Sequence, residues 1–319
     1  MKNPESTIHI PSTEKHSRSG LVRKAIAVIV LAICAAGALA AILASASAAP
    51  LSTSREASVT PGSRYLALGD SVTFGTEDPQ VVPPPNYNDP SSFLGYPEQL
   101  GAELHLKVAN AACPGETASS MINPSAQSLG CENTVSGGPP AYRPNHPLHV
   151  HYEGSQLAYA LEYLHAHSDV RLVSLMIGAN DVYICVLTTR DGCNSNAEQH
   201  AALGQLAHNV QQILSAIRNQ AHYNGQLAIL NYYSPNYASA STNGFSLAVN
   251  QTVDAAAKPF HVVVADGYGE LKAAALHSGD NTCKAGLLTQ LGRPGKCGMH
   301  PSYAGQALLA QALAKAIRL

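Results

Sequence analysis

Short apolar segments alternate with helix-like segments along most of the chain, and this alternation constrains the fold more than any other feature. Each apolar run is too short for a helix and rich in Val, Ile or Leu, which is typical of strands buried on both faces. These runs are residues 65–68, 107–111, 170–176, 226–231 and 262–265. Helical patterns lie between or after them at 94–104, 155–165, 197–220, 245–258 and 302–317. Strand then helix, repeated, predicts an α/β fold: a three-layer α/β/α sandwich around a parallel sheet.

Two long stretches interrupt this alternation. They are the Pro- and Asn-rich segments 77–92, after the first apolar run, and 123–154, after the second. Both follow the ends of predicted strands, on the side of an open parallel sheet where ligands bind. We therefore expect a ligand site there.

The N-terminal 48 residues have the layout of an export signal. Five basic and two acidic residues within positions 1–24 precede the charge-free run AIAVIVLAICAAGALAAIL. Ala46-Ser47-Ala48 then fits the small-x-small rule for signal peptidase, which predicts a mature chain that starts at Ala49. The alternative is an uncleaved anchor, because the apolar run is long enough to span a bilayer. We expect a secreted protein, or otherwise a membrane-anchored one with its domain outside.

The rest of the chain suits one domain with a short lead-in. Residues 49–62 are Ser- and Thr-rich and are predicted to be mobile, and residues 63–319 form the domain. Loss of residues 1–48 changes the formal net charge from −2 to −5, which disfavours nucleic acid as a partner. We expect a monomer with no obligatory protein partner.

Six cysteines remain after Cys34, which lies in the export segment. An even number in an exported chain points to disulfides, and six cysteines allow 15 pairings. Their distribution in three separate couples favours bonds between neighbours: Cys113–Cys131, Cys185–Cys193 and Cys283–Cys297. A zinc site is the weaker alternative, because the chain has no C-x-x-C and the thiols do not cluster in sequence.

The segment YLALGDSVTFG places Ser71 at the end of the first predicted strand. In an open α/β sheet this is the edge where substrates bind, so Ser71 is a candidate nucleophile. A serine after a strand is, however, also a common helix N-cap. The residue alone does not separate these two interpretations.

Three other segments offer what a nucleophilic serine needs. Attack on a carbonyl requires a base for the hydroxyl proton and donors for the oxyanion. ACPGETA provides the main-chain N–H of Gly115, LMIGANDV provides the Asn180 amide, and CGMHPS places His300 before a proline that favours an extended conformation.

Taken in order, G-D-S at 69–71, the glycine at 115, G-x-N-D at 178–181 and H-P at 300–301 resemble the SGNH hydrolases, also called GDSL esterases and lipases. The resemblance implies a flavodoxin-like three-layer fold, Ser71 as nucleophile and His300 as base. It implies an oxyanion hole formed by the main-chain N–H groups of Ser71 and Gly115 and the side chain of Asn180, with no metal and no cofactor. No G-x-S-x-G, H-E-x-x-H or P-loop motif competes with it.

One position departs from that family's pattern. The family has an Asp three residues before the His, and here that residue is Cys297. Without this acid the imidazole needs another acceptor to fix its tautomer. We expect the Cys297 carbonyl to serve, held by the bond to Cys283, and rank a carboxylate such as Asp266 or Asp280 second.

Several neighbouring side chains have a plainer interpretation. Asp70 and Asp181 flank the candidate site and are expected to hydrogen-bond nearby main chain. The histidines of NHPLHVHY have H-x-H spacing but no nearby acidic ligand set, so we expect surface residues rather than a metal site. The tyrosines of NYYSPNY could line a substrate pocket or simply pack at the sheet edge; the residues concerned are His146, His149, His151, Tyr232, Tyr233 and Tyr237.

The sequence therefore predicts an exported serine esterase or lipase whose partner is a small-molecule or lipid ester. Deacetylation of polysaccharides is an alternative that uses the same catalytic parts. A catalytically degenerate surface-binding domain is a third interpretation, favoured only by the missing acid. The intact Ser71, Gly115, Asn180 and His300 argue against it.

Overall fold

The computed structural model describes residues 56–293 and 295–319. The predicted export signal and residues 49–55 of the lead-in lie outside this range. Five strands form one parallel sheet with every strand where the sequence predicts one, within a residue or two at the ends. They are β1 (Arg64–Gly69), β2 (Lys107–Asn110), β3 (Val170–Met176), β4 (Gln226–Leu230) and β5 (Val263–Ala265).

The strands lie in the order β2-β1-β3-β4-β5, which is the flavodoxin-like order. In register, Tyr65 of β1 pairs with Val108 of β2 on one side and with Leu172 of β3 on the other. The chain reverses its direction of winding between β1 and β3. Such a reversal opens a crevice beyond the carboxyl ends of the strands, and β1 delivers Ser71 to it.

Two groups of helices cover the sheet. One group packs α2, α8 and α9 together, and the other packs α3, α4, α5, α6 and α7 together, so the predicted three layers are present. The helices are α1 (Ser71–Phe74), α2 (Tyr96–Leu104), α3 (Ala118–Ile122), α4 (Gln156–Ala166), α5 (Ala179–Thr188), α6 (Asn196–Ser215), α7 (Ala240–Ala257), α8 (Gly267–Ala275) and α9 (Tyr303–Ala316). Short 3₁₀ turns occupy Pro90–Ser92, Lys258–Phe260 and Leu276–Ser278, and Ala216–Gln220 is a π-helical turn.

A two-stranded antiparallel hairpin lies outside the main sheet and was not predicted. It consists of β6 (Leu288–Gln290) and β7 (Cys297–Pro301). Strand β7 carries His300 in the extended conformation that the following proline favours. The hairpin is therefore the element that presents the candidate base.

The described part of the lead-in is hydrogen-bonded to the domain at two positions. The Val59 N–H donates to the Arg318 carbonyl at 2.9 Å, and the Gly62 N–H donates to the His105 carbonyl at 2.8 Å. Val59 is buried. An apolar residue within a Ser- and Thr-rich segment provides this anchor.

The structure joins the six cysteines as the three neighbouring couples: Cys113–Cys131, Cys185–Cys193 and Cys283–Cys297. The first bond closes the loop after β2, and the third ties β7 to the segment after α8. Among the residues described, no helix has both the length and the apolar character required to cross a bilayer.

Candidate functional site

Ser71 is the first residue of α1, directly beyond the end of β1. Asp70 is the N-cap of this helix, because its Oδ1 accepts a hydrogen bond from the Val72 N–H at 2.9 Å. The capping interpretation of Ser71 is therefore wrong. Its hydroxyl makes no hydrogen bond to any described residue and is partly exposed. A serine held this way is free to react with a bound molecule.

Gly115 lies in the loop after β2 with a φ of +79°, in the left-handed region that favours glycine. A Cβ at this position would also collide with the Leu129 carbonyl group. Within the described chain, neither the Gly115 N–H nor the Ser71 N–H donates a hydrogen bond. Both donors are thus available to an incoming oxygen atom.

Asn180 is the second residue of α5 and is almost fully buried. Its Nδ2 donates to the Glu116 carbonyl at 2.8 Å and more weakly to Asp70 Oδ2 at 3.3 Å. These two bonds connect the segments that follow β1, β2 and β3. The three predicted oxyanion residues therefore belong to one hydrogen-bonded assembly at the carboxyl edge of the sheet.

Asp70 is the centre of that assembly. The Tyr232 hydroxyl, which follows β4, donates to Asp70 Oδ2 at 2.5 Å. Burial raises the pKa of Asp70 to about 6, although the hydrogen bonds from Tyr232 and the Val72 N–H oppose the shift. Asp181 has a comparable role, since its carboxylate accepts from the Ala118 N–H at 3.0 and 3.1 Å and burial raises its pKa to about 7. Both aspartates hold main chain in place, as expected.

His300 lies on β7, which packs against α1. The Tyr233 hydroxyl donates to the Met299 carbonyl and so fixes the strand next to His300. Tyr232 and Tyr233 are buried and hold site segments, whereas Tyr237 donates to the Tyr268 carbonyl at a distance from them. The packing interpretation of these tyrosines is therefore the better one.

The carboxylate beside His300 is Asp78, from the loop after α1. Asp78 Oδ2 lies 3.6 Å from His300 Nδ1, and the two side chains are 30% and 22% exposed. His300 lowers the pKa of Asp78, and half-burial opposes this shift only in part. A carboxylate at this distance from Nδ1 can orient the imidazole and stabilise its charged form.

None of the acceptors that we expected for His300 Nδ1 forms a hydrogen bond with it. Nδ1 has no hydrogen-bond partner among the described residues, so the Cys297 carbonyl does not bond to it. Asp266 caps α8 through the Gly269 N–H at 2.8 Å. Asp280 lies in a turn with a φ of +57° and forms no ion pair with His300. We expected an acceptor closer to His300 in sequence, whereas the folded chain brings Asp78 to it from the loop after α1.

The histidines of the second long loop do not converge. His149 is largely buried, contrary to the expectation of surface residues, and its Nε2 lies 2.9 Å from the Phe74 carbonyl oxygen. Burial lowers the pKa of His149. His151 is exposed and lies 3.2 Å from Glu153, and the His146 ring packs against Tyr142 in a tilted arrangement. His149 packs on Phe74 and His146 on Tyr142, two rings of one aromatic cluster, and the described residues contain no metal-ligand group that includes these histidines.

The described residues place one group of metal-ligating types together: Cys113, Glu116 and Cys131. The two sulfurs are joined in a disulfide, so they are not thiolates and cannot serve as metal ligands. A groove of about 420 Å³ lies between α3, α5 and α6, lined among others by Ser119, Ile184 and Ala201. It includes neither Ser71 nor His300.

Comparisons with known proteins identify the family and the fold. The sequence model of the family described as GDSL-like lipase/acylhydrolase matches residues 67–308, which include Ser71, Asp78, Gly115, Asn180 and His300. No curated protein shows a significant sequence match to the chain.

Solved structures share the fold at low sequence identity. A protein described as a GDSL-like lipase from Parabacteroides merdae is 14% identical, with 82% of this chain and 98% of that chain covered and a TM-score of 0.50. An acetylxylan esterase from Geobacillus stearothermophilus is 16% identical over 81% and 95% of the two chains, with a TM-score of 0.49. A lipase from a goat rumen metagenome is 15% identical over 79% and 96%, also at 0.49.

Proposed function

Because the chain belongs to the GDSL-like lipase and acylhydrolase family, we propose that it is a serine esterase that hydrolyses carboxylic esters through Ser71, His300 and Asp78. The observation that carries the proposal is the His300–Asp78 pair: His300 lies on β7, which packs against α1, the helix that begins with Ser71, and Asp78 lies in the loop after that helix. Such a nucleophile, base and orienting acid form a proton-transfer unit.

In the proposed reaction Ser71 Oγ attacks the ester carbonyl carbon while its proton passes to His300 Nε2. The Asp78 carboxylate faces the opposite ring nitrogen and stabilises the imidazolium. Collapse of the tetrahedral intermediate breaks the bond to the alcohol oxygen, which takes the proton from His300. Water then attacks the acyl group on Ser71 by the same route in reverse, releasing the acid and restoring the serine.

The oxyanion of each intermediate is proposed to bind the N–H groups of Ser71 and Gly115 and the Asn180 amide. The two main-chain donors have no acceptor among the described residues, which supports the assignment. The Asn180 Nδ2 bond to Asp70 is long at 3.3 Å, so this N–H can turn toward an oxyanion at small cost.

Small-molecule or lipid esters are the proposed substrates, in keeping with the description of the matching family as lipases and acylhydrolases. The position of Asp78 also removes the argument for a degenerate domain, since a carboxylate is present after all.

Export is proposed from the N-terminal signal pattern together with the three disulfides, which form and persist in oxidising compartments. Edman sequencing of the protein recovered from culture medium should begin at Ala49. A chain that stays in the membrane fraction with its N-terminus intact would instead support the anchor.

The decisive experiment measures p-nitrophenol release from acetate to palmitate esters by the wild type and by Ser71→Ala and His300→Ala. Both variants should lose turnover while keeping the circular dichroism spectrum of the wild type. A fluorophosphonate probe should label the wild type and leave Ser71→Ala unlabelled. Turnover retained by folded Ser71→Ala would refute the assignment.

A further inference from the structure

The carboxyl group of Glu116 is buried beside the proposed oxyanion hole without a cation to balance it. The residue is 3% exposed and directly follows Gly115. It takes part in no ion pair among the described residues. A buried charge is unfavourable unless it is paired, so this side chain needs an explanation that the proposed reaction does not supply.

The Glu116 side chain is connected to the nucleophile turn through Gln156 on α4. Gln156 Nε2 donates to Glu116 Oε2 at 3.1 Å. The same amide group bonds both main-chain groups of Gly69: Oε1 accepts from the N–H at 2.7 Å and Nε2 donates to the carbonyl at 3.0 Å. Because Gly69 ends β1, Gln156 fixes the point from which Ser71 projects.

The Glu116 main chain is connected to the other two donors. Its carbonyl accepts from Asn180 Nδ2 at 2.8 Å, and its N-terminal neighbour is Gly115. The disulfide Cys113–Cys131 closes the loop that contains both residues. Glu116 is therefore connected to all three proposed oxyanion donors: directly to Gly115 and Asn180, and to the turn of Ser71 through Gln156 and Gly69.

We propose that Glu116 is a positioning residue that, as a neutral carboxylic acid paired with Gln156, holds the Ser71, Gly115 and Asn180 donors at their mutual spacing. The inference rests on the proposed function, because it concerns the oxyanion hole of that reaction.

The hydrogen-bond partners fit a neutral acid. A protonated carboxyl donates from one oxygen and accepts with the other. The Gln156 amide donates to Oε2, and the Ser120 hydroxyl donates to Oε1. Because a hydroxyl group rotates, Ser120 Oγ can also accept the proton of a neutral acid. Glutamine in place of Glu116 would reproduce this pattern, with its amide facing Ser120 and its carbonyl facing Gln156. An ionised Glu116 would instead put a negative charge next to the place where the oxyanion forms.

Burial of the Glu116 carboxyl favours its neutral form at pH 7. Burial is the largest influence and raises the pKa of Glu116 to about 8, and the nearby Asp181 carboxyl acts in the same direction. Arg143 opposes the shift, but its guanidinium is hydrogen-bonded to Glu132 and to the Tyr152 carbonyl. Tyr152, whose own pKa is raised by burial, is the remaining titratable group facing this carboxyl.

The first test compares kcat against pH for the wild type, Glu116→Gln and Glu116→Ala. Wild-type kcat should fall at least tenfold as pH rises past about 8, while Glu116→Gln keeps its plateau. Glu116→Ala should lose roughly 10- to 100-fold in kcat at pH 7, with little change in KM, because the donors that act in the transition state lose their spacing. Glu162→Gln, an exposed carboxylate on the same helix as Gln156, is the matched control and should follow the wild type.

The second test needs no substrate. An unfolded carboxyl ionises near 4.5, whereas the folded one stays neutral until about 8. The unfolded state therefore binds fewer protons in this window, so folding stability falls as pH rises from about 4.5 to 8. The melting temperature of the wild type should therefore fall as pH rises over this range, and that of Glu116→Gln should fall less.

The two tests separate the inference from the function it rests on. If Ser71→Ala is inactive but Glu116→Gln shows the same alkaline decline and the same pH dependence of melting as the wild type, the positioning role is wrong and the esterase assignment stands. If folded Ser71→Ala remains active, the oxyanion hole is misassigned and the role of Glu116 falls with it.

Discussion

The main chain of Gly298 lies so close to the carboxylate of Asp78 that a methyl group on this glycine would overlap Asp78 Oδ2. Gly298 precedes His300 by two residues on β7. The strand that presents the imidazole therefore also leaves room for its acid. A larger residue at 298 would push the carboxylate from Nδ1.

Gly298→Ala should consequently lower kcat by about 10- to 100-fold, less than complete removal of the acid, because Asp78 would be displaced rather than absent. The measurement is steady-state hydrolysis of p-nitrophenyl butyrate with melting temperature as the check on folding. Gly244→Ala is the control, since a Cβ there meets no atom within 4 Å. Equal activity of Gly298→Ala and the wild type would contradict the contact with Asp78.

Asp78→Asn should reduce kcat by roughly 10² to 10⁴, because an amide favours the wrong tautomer of His300. The equivalent change in a Ser-His-Asp triad costs about 10⁴. Asp266→Asn and Asp280→Asn should stay within about threefold of the wild type, and Cys297→Ser should lose activity only through the missing disulfide. The four variants are compared in one kcat series. A collapse confined to Asp266→Asn or Asp280→Asn would identify that residue as the acid instead.

Asn180→Ala should lose on the order of 10² to 10³ in kcat and little in KM, because one of three oxyanion donors is removed. Asn209→Ala is matched to it: this asparagine is also buried, and its amide donates to Ser119 Oγ at 2.7 Å, outside the site. Stopped-flow acylation rates give the comparison. Equal losses in both variants would mean that Asn180 only supports the fold.

Tyr232→Phe should lower the free energy of unfolding by about 1.5 to 3 kcal/mol at pH 7, since it removes a hydrogen bond to a charged, buried acceptor. Tyr237→Phe removes a hydrogen bond to the neutral Tyr268 carbonyl, so it should lower the free energy of unfolding by only about 0.5 to 1.5 kcal/mol. Urea unfolding measures both. The reverse ranking would show that Asp70 is not ionised in the folded protein.

Local sequence patterns were sufficient to predict the five strands of the sheet and to place their ends within one or two residues. Each strand contains a short run that is mostly apolar, so Ser71, Gly115 and Asn180 could be placed after strand ends, at one edge of the sheet, from the sequence. The hairpin of β6 and β7 was missed because Leu288–Gln290 is only three residues long and lies outside the periodic pattern.

Asp78 and Glu116 could not be predicted for a different reason. Asp78 lies in a Pro-rich loop with no periodicity, 222 positions before its partner, and only the folded chain brings the two together. Glu116 is a charged residue type that is rarely buried, so its sequence context gave no reason to expect it inside. Gly298 leaves room for the Asp78 carboxylate beside the strand. A glycine alone does not predict such a contact, because other glycines of this chain have no atom near the position of a Cβ.

The position of His300 after all five sheet strands also sets an order in time. Strand β7 is synthesised after the segments that contain Ser71 and Asp78, and a domain folds as a unit. A chain that stops before β7 therefore carries the proposed nucleophile and acid without the proposed base. Under the proposed function, such a truncated chain has no hydrolytic activity.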